Sequence, residues 1–326
     1  MPDFEEGIPT EVRITLSARS GNSQTRGDGD PKDPTSTVEL IHDWWIAFID
    51  RKGEVTVITR NGIPAQDRTT STSVSVEGGG FEAETFRTII PSGKYRIYAF
   101  ANIPAKTADE IKAMLVEEKT PGVKDKISKH LKDFVTTAFI NNNMQWPSDV
   151  NIPMSSIKEK TIKNTIEEAF NIEVIRAVAK MQFAFTNPST DKIELNELKF
   201  GPITDSDEIS IVPNNDAIGQ KANDKLLNKS TNTLSFPSMG QTLEPEKGTY
   251  SFEFYCKESL GGWFDKDGKI LKKEDANKNQ IEHEDVFKID LTVTKTKAGD
   301  NTGTEVTRTF YTKDITYINR NDWIYI

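Results

Sequence analysis

The chain has 326 residues, enough for two domains at roughly 150 residues each. Hydrophobic residues make up 35% of it, which fills two modest cores, and no apolar run approaches the ~20 residues of a membrane-spanning helix. A net charge of -9 argues against nucleic acid, whose phosphate backbone needs basic patches, so it is not an expected partner.

The opening "MPDFEEG" has neither the basic nor the apolar region of a secretory signal. It therefore reads either as cytosolic or as a mature chain whose leader has been removed. The first element follows at once. In "EVRITLSA" the apolar residues Val12, Ile14, Leu16 and Ala18 alternate, which predicts a half-buried strand. It passes without a taper into a polar, glycine-rich stretch carrying Arg19 and Arg26, a segment suited to proteolysis. Arg26-Gly27-Asp28 is an RGD tripeptide, which a polar loop exposes whatever its role.

Next come two predicted hairpins. One is "HDWWIAFID", a turn at Gly53, and "EVTVITR"; the other is "FEAETFRTII", a turn with Pro91 and Gly93, and "KYRIYAFAN". Gly78-Gly79-Gly80 is followed by Phe81 and Glu82, not by Lys and Ser or Thr, so it is a strand linker and not a phosphate loop. A helical insertion is predicted over about 107–138. "TADEIKAMLVEE" offers Thr107 as N-cap, with Ile111, Met114 and Leu115 on one face. "KDKISKHLKDFVTTAF" places Ile127, Leu131, Phe134 and Val135 at helical spacing, and "KNTIEEAF" could add a turn or two.

The second half is again alternating. Ile175, Ala177, Ala179, Met181, Phe183 and Phe185 share one face of "VIRAVAKMQFAFTN", read as one long strand from Val174. Tyr250, Phe252, Phe254 and Cys256 do the same in "YSFEFYCKES", and Phe287, Ile289, Leu291 and Val293 in "VFKIDLTVTK". Such alternation is typical of antiparallel sheets with one wet face. Residues 294–305 read as a long hairpin loop. The expected fold is mainly β, two tandem sandwich domains spanning 1–172 and 173–326, divided at the lysine-rich connector before Val174.

Chemistry is sparse. His42, His130 and His283 are scattered without zinc-site spacing, and no nucleophile elbow occurs. Cys256, the only cysteine, lies on an apolar strand face and reads as a buried structural thiol. "DKDGKILKKED" over 265–275 has its glycine at the fourth position and lacks the closing glutamate of a calcium loop, so a hairpin turn is expected. No catalytic residue, metal or cofactor is expected. A glycoside hydrolase would need a carboxylate pair across a cleft.

Several segments taken together resemble the fimbrillin family, the pilin subunits of type V pili in Bacteroidales. They are "EGIPTEVRITLS" (6–17), "TRGDGD" (25–30) followed by "WWIAFIDRKGEV" (44–55), "IPSGKYRIYAFANIP" (90–104) and "NIPMSS" (151–156). "EVIRAVAKMQFAFTN" (173–187), "FYCKES" (254–259) and "INRNDWIYI" (318–326) complete the ordered set. The resemblance implies two transthyretin-like Greek-key β-sandwiches and an exported lipoprotein, located in a fimbrium at the outer-membrane surface. It implies that an arginine-specific protease, cutting at Arg26 or Arg19, removes the first strand. Val12, Ile14, Leu16 and Ala18 would then be a temporary plug, replaced by a strand of another pilin subunit. The expected partners are other pilin subunits, that protease, and host or bacterial surface ligands. In polymerising stalk subunits the donor strand lies beyond the second core. Here Trp323, Ile324, Tyr325 and Ile326 read as the last core strand itself, so either that end doubles as donor or the chain is a tip, an anchor or a truncated subunit. The alternative is a surface glycan-binding β-sandwich lipoprotein that stacks sugars on Trp146 and Trp263.

Overall fold

Alternating apolar residues become strands along most of this chain, and the departures mark its corners. A computed structural model describes residues 4–19, 22–25, 37–71, 80–117, 122, 124–127, 150–164, 168–204, 230–271, 280–313, 315–319 and 321–326. The first half holds β1 (Pro9–Ala18), β2 (Asn22–Thr25), β3 (Trp44–Asp50), β4 (Val55–Thr59), β5 (Arg68–Ser71), β6 (Ala83–Pro91) and β7 (Gly93–Ala101). Helix α1 (Ala108–Ala113), β8 (Leu115–Glu117), β9 (Lys124–Ile127), β10 (Met154–Ile162) and β11 (Glu168–Arg176) follow. The second half holds β12 (Ala179–Asn187), β13 (Lys192–Thr204), β14 (Ser230–Leu243), β15 (Gly248–Cys256), β16 (Ser259–Leu260) and β17 (Gly262–Phe264). It closes with β18 (Ile270–Leu271), β19 (His283–Val286), β20 (Lys288–Thr296), β21 (Thr304–Tyr311), β22 (Tyr317–Ile318) and β23 (Asp322–Tyr325).

The chain is mainly β, layered as sandwiches. In the first half the strand order is β4-β3-β7-β10-β11-β1-β6-β5. The β10–β11 join rests on only two residue pairs, Met154 with Arg176 and Ser155 with Ile175. The sheet turns over at that corner, and both layers feed one core. Trp44, Ile46, Phe48 and Ile97 come from one side; Val12, Ile14, Leu16, Phe86 and Phe170 come from the other. Strand β3 is buried on both faces, because Trp45, Ala47 and Ile49 pack under Ile111 and Leu115 in a second cluster. In the second half, sheets β15-β12-β23-β2 and β14-β13-β20-β21 share a core that includes Met181, Phe183, Phe200, Phe254, Ile289 and Ile324.

Several expectations need correction. The 83–101 segment is not a hairpin. Strand β6 pairs with β1 and β5, and β7 pairs with β3 and β10, so Ser92 carries the chain from one layer to the other. The helical insertion is much shorter than expected among the described residues. Thr107 does cap α1 with a reciprocal Thr107–Glu110 box, but the chain turns extended at Leu115, and Lys124–Ile127 pairs with β8 as a strand. Leu131, Phe134, Val135 and His130 lie outside the described residues. Glu168, Ala169 and Phe170 are strand and not helix. The strand read from Val174 is two strands, interrupted at Ala177 and Val178, and the expected division at 172/173 falls within β11. The 294–305 loop is shorter, since β20 runs to Thr296 and β21 starts at Thr304. The β3–β4 hairpin and the turn joining Trp263–Phe264 to Ile270–Leu271 are present as expected.

Candidate functional site

Strand β1 sits inside the first sheet. It runs antiparallel to β6 over Pro9 to Ser17 and parallel to β11 over Val12 to Ala18. Val12, Ile14 and Leu16 are fully buried, whereas Ala18 is only half-buried. Ile14 lies between Phe86 on β6 and Phe170 on β11, and Leu16 pairs with Ile172. With β1 lifted out, the edges of β6 and β11 would face each other across an apolar floor. One polar group stands in that floor. Glu84, opposite Leu16, accepts hydrogen bonds from Trp44 Nε1 (2.6 Å) and from Arg60 Nε and Nη2 (both 3.1 Å), and is therefore satisfied without β1. Trp44 in turn stacks on Phe86 at 4.4 Å between ring centroids.

Backbone bonds pin both ends of the strand. At its start, the Gly7 amide donates to Ser92 O and the Ser92 amide to Ile8 O, each at 2.7 Å. At its finish, the Arg19 amide donates to Val174 O at 2.9 Å. The Arg19 carbonyl accepts from Arg176 Nη1 at 3.1 Å and from Asn321 Nδ2 at 3.4 Å. Arg176 is buried, and its other bonds go to Asn321 Oδ1 (3.0 Å) and Glu39 O (3.0 Å). Burial pushes its guanidinium below the ordinary arginine range, and the nearby Glu39 charge opposes that. The Glu39 carboxylate is already engaged: it pairs with Lys180 Nζ at 2.9 Å and accepts from the Tyr255 hydroxyl. Lys180 also meets Glu253 at 3.0 Å and lies 4.8 Å from the Trp323 ring centroid. A buried polar junction thus joins the end of β1, the Thr37–Glu39 turn, β11, β12, β15 and the turn before β23.

The candidate residues from sequence are distributed as follows. Val12, Ile14, Leu16, Ala18 and Arg19 are brought together on β1 and at its end, while Arg26 lies outside the described residues, as do Gly27, Asp28 and Trp146. Strand β23 pairs with β12 on one side and β2 on the other, and Ile324 is fully buried in the second core. Trp323, Tyr325 and Ile326 are half-buried, and the Ile326 amide and carbonyl continue the ladder to Gln182 O and Ala184 N. Asp322 is buried; its Oδ2 accepts from the Asn319 amide at 2.8 Å, and burial pushes its carboxyl up to about 7. Cys256 is fully buried and burial pushes its thiol up. The indole N–H of half-buried Trp263 donates to Asp285 Oδ1 at 3.1 Å. His42 Nε2 meets Thr37 O at 2.8 Å, and His283 stacks on Tyr311. Among the described residues no group of three or more His, Cys, Asp and Glu side chains gathers as a metal site. Glu39, Arg176, Lys180, Tyr255 and Asn321 were not foreseen. The one signal available was an arginine flanked by apolar residues in "EVIRAVAK".

No family model matches the chain, and no curated protein matches it. Solved structures do resemble it at low identity. A candidate cell adhesion protein of Parabacteroides distasonis is 11% identical, with 96% of this chain and 90% of that one covered and a TM-score of 0.43. A second, from Bacteroides eggerthii, is 11% identical over 95% and 81%, at a TM-score of 0.40. The fimbrial anchor protein Mfa2 of Porphyromonas gingivalis is 13% identical over 94% and 83%, at 0.29. These values are too low to carry a function from those proteins to this chain.

Proposed function

We propose that this chain is a non-catalytic structural subunit of a cell-surface fimbria, exported as a lipoprotein to the outer membrane. In this reading β1 is a removable occupant of the groove between β6 and β11. The placement of β1 is the observation that supports it. Its two neighbours belong to distant parts of the sequence and keep their other partners, β5 and β10, without it. A strand of another subunit could enter by the same backbone pairing, with apolar residues at alternate positions filling the sites of Val12, Ile14 and Leu16. Burying three such side chains contributes roughly 5–9 kcal/mol before ordering costs, enough to hold subunits together. The glycan-binding alternative has less behind it, since Trp263 is half-buried and Trp146 lies outside the described residues.

The test is limited digestion with an arginine-specific protease, followed by addition of a labelled peptide of residues 9–18. Cleavage is expected first after Arg26, because the Arg19 amide and carbonyl are both held. The nicked protein should take up the peptide and the intact protein should not. Predominant cutting at Arg60 or Arg87, or equal uptake by both forms, would count against the groove.

A further inference from the structure

Arg176 is a buried cation with no carboxylate of its own. It is 9% exposed, and among the described residues no Asp or Glu oxygen pairs with its guanidinium. Its three acceptors are two main-chain carbonyls, of Arg19 and Glu39, and the Asn321 side-chain oxygen. Its Nε is buried and has no hydrogen-bond partner. The adjacent carboxylate, Glu39, is already bound to Lys180 and Tyr255. Removing a cation from water is costly unless an anion meets it, and here the nearby carboxylates act on the guanidinium only from a distance. Of its three acceptors, the one that a chain break can turn into an anion is the carbonyl of Arg19, which two side-chain donors grip together.

Hydrolysis of the Arg19–Ser20 bond changes that atom. Water adds across the bond, Ser20 keeps a new amine, and the Arg19 carbonyl carbon becomes a carboxylate. A neutral acceptor on a buried guanidinium then becomes an anionic one, and charge-assisted bonds are roughly twice as strong as neutral ones. We propose that Arg176 and Asn321 form a carboxylate-receiving site that retains β1 once the chain is cut at Arg19. This rests on the groove reading above and sharpens it, because the two arginines have opposite effects. A cut beyond the clamp, as at Arg26, leaves the Arg19 carbonyl a neutral acceptor, and the fragment is held by the neutral contacts of β1 together with the β2–β23 pairing. A cut at Arg19 locks the strand in place, so that the nicked subunit stays closed until a competing strand displaces it.

A chemical nick tests this without a protease. In a Ser20→Cys variant of the full chain, cyanylation of the introduced thiol makes the bond before it labile. The only other cysteine, Cys256, is fully buried and protected in the folded protein. Attack by hydroxide leaves Arg19 as a carboxylate; attack by ammonia leaves it as a carboxamide of the same shape. Release of the fragment is timed by size exclusion and mass spectrometry, in urea at which it departs within hours. The carboxylate form is expected to leave about tenfold more slowly than the carboxamide form. The same pair made through Asp30→Cys, with the break ten residues along, is expected to show no such gap, and folded Arg176→Gln should lose it. Equal half-lives for the two forms, an equal gap at both break positions, or a gap that survives in Arg176→Gln would overturn the proposal. Uptake of a labelled β1 peptide is measured separately, so failure here leaves the groove standing and failure there removes both.

Discussion

Strands β1 and β23 hold similar positions in the two halves, yet they are built to different strengths. Each lies inside a sheet: β1 runs parallel to β11 and antiparallel to β6, whereas β23 runs parallel to both β12 and β2. Strand β1 has ten residues, long ladders on both sides and three fully buried apolar side chains. Strand β23 has four residues and one fully buried side chain, Ile324. Two buried polar residues stand at its start, Asn321 in the preceding turn and Asp322 as its first residue, the second pushed up to about 7. A replaceable strand must bind well through repeated, sequence-tolerant contacts, and β1 has these. A strand fixed by specific polar groups is hard to substitute, and β23 has those instead. The two meet at Asn321, which precedes β23 and grips the Arg19 carbonyl.

The comparison breaks most severely if β1 is merely decorative. Ile14→Asp with Leu16→Asp places two charges where both residues are fully buried, with no cation facing them on the neighbouring register positions Phe86, Glu84, Phe170 and Ile172. Unpaired buried charges cost several kcal/mol each, so the uncut monomer should lose more than about 5 kcal/mol and most of its first melting transition. An unchanged melting temperature would show that β1 decorates an exposed edge.

Next in size is deletion of residues 321–326. It removes Ile324 from the second core, exposes the edge of β12, and takes Asn321 from the clamp. The second sandwich should unfold while the first keeps the packing of Trp44 and Trp45. A truncated chain that melts like the full one, yet no longer forms oligomer ladders after proteolysis, would instead make this segment a free donor strand.

Much of this arrangement was legible in the sequence because strand alternation is a local signal. The faces of β1, β15 and β20, the β3–β4 hairpin and the Thr107 cap all follow from residues a few positions apart. The corners were not legible. Pro91, Ser92 and Gly93 have the chemistry of a hairpin turn, and the same chemistry serves an arch between layers; only β1, inserted beside β6, decides which. The break between β11 and β12 hides because the apolar run continues through Ala177 and Val178, although the inward set changes from Phe170, Ile172 and Val174 to Ala179, Met181 and Phe183. Lys124–Ile127 looked helical because a β8–β9 ribbon depends on pairing that no short window contains. The clamp was invisible for a simpler reason. Arg19, Glu39, Arg176 and Asn321 are brought together by the fold alone.

A smaller effect separates the two strands by pH. Burial raises the Asp322 carboxyl from its ordinary 3.8 to about 7, with the Glu258 charge acting in the same direction and the Asn319 amide against it. A raised carboxyl pKa means the folded state binds the proton more tightly. Its contribution is therefore greatest below about pH 4 and is lost as pH rises toward 7. At about 1.4 kcal/mol per unit the window spans on the order of 4 kcal/mol at most. Asp322→Asn should flatten that slope in the second transition and leave the first unchanged. If the variant and the parent lose stability in parallel between pH 4 and 7, Asp322 is not responsible.

The smallest expected effect concerns how firmly β1 is seated. Arg13 and Arg87 are exposed and directly opposite each other on the β1–β6 ladder. Like charges in that position destabilise a pair, whereas opposite charges contribute about 0.2–1 kcal/mol. Arg13→Glu turns the repulsion into attraction without touching the buried face of Val12, Ile14 and Leu16. The urea midpoint of the first transition should rise slightly at low salt. The gain should shrink in 1 M salt, where screening acts over about 3 Å. Release of a nicked β1 should slow about threefold, and the second transition should not move. A salt-independent change would mean that Arg13→Glu acts through something other than the charge on Arg87. No change at all would mean that solvent already screens the pair, leaving the hold on β1 to its buried side chains and its clamped end.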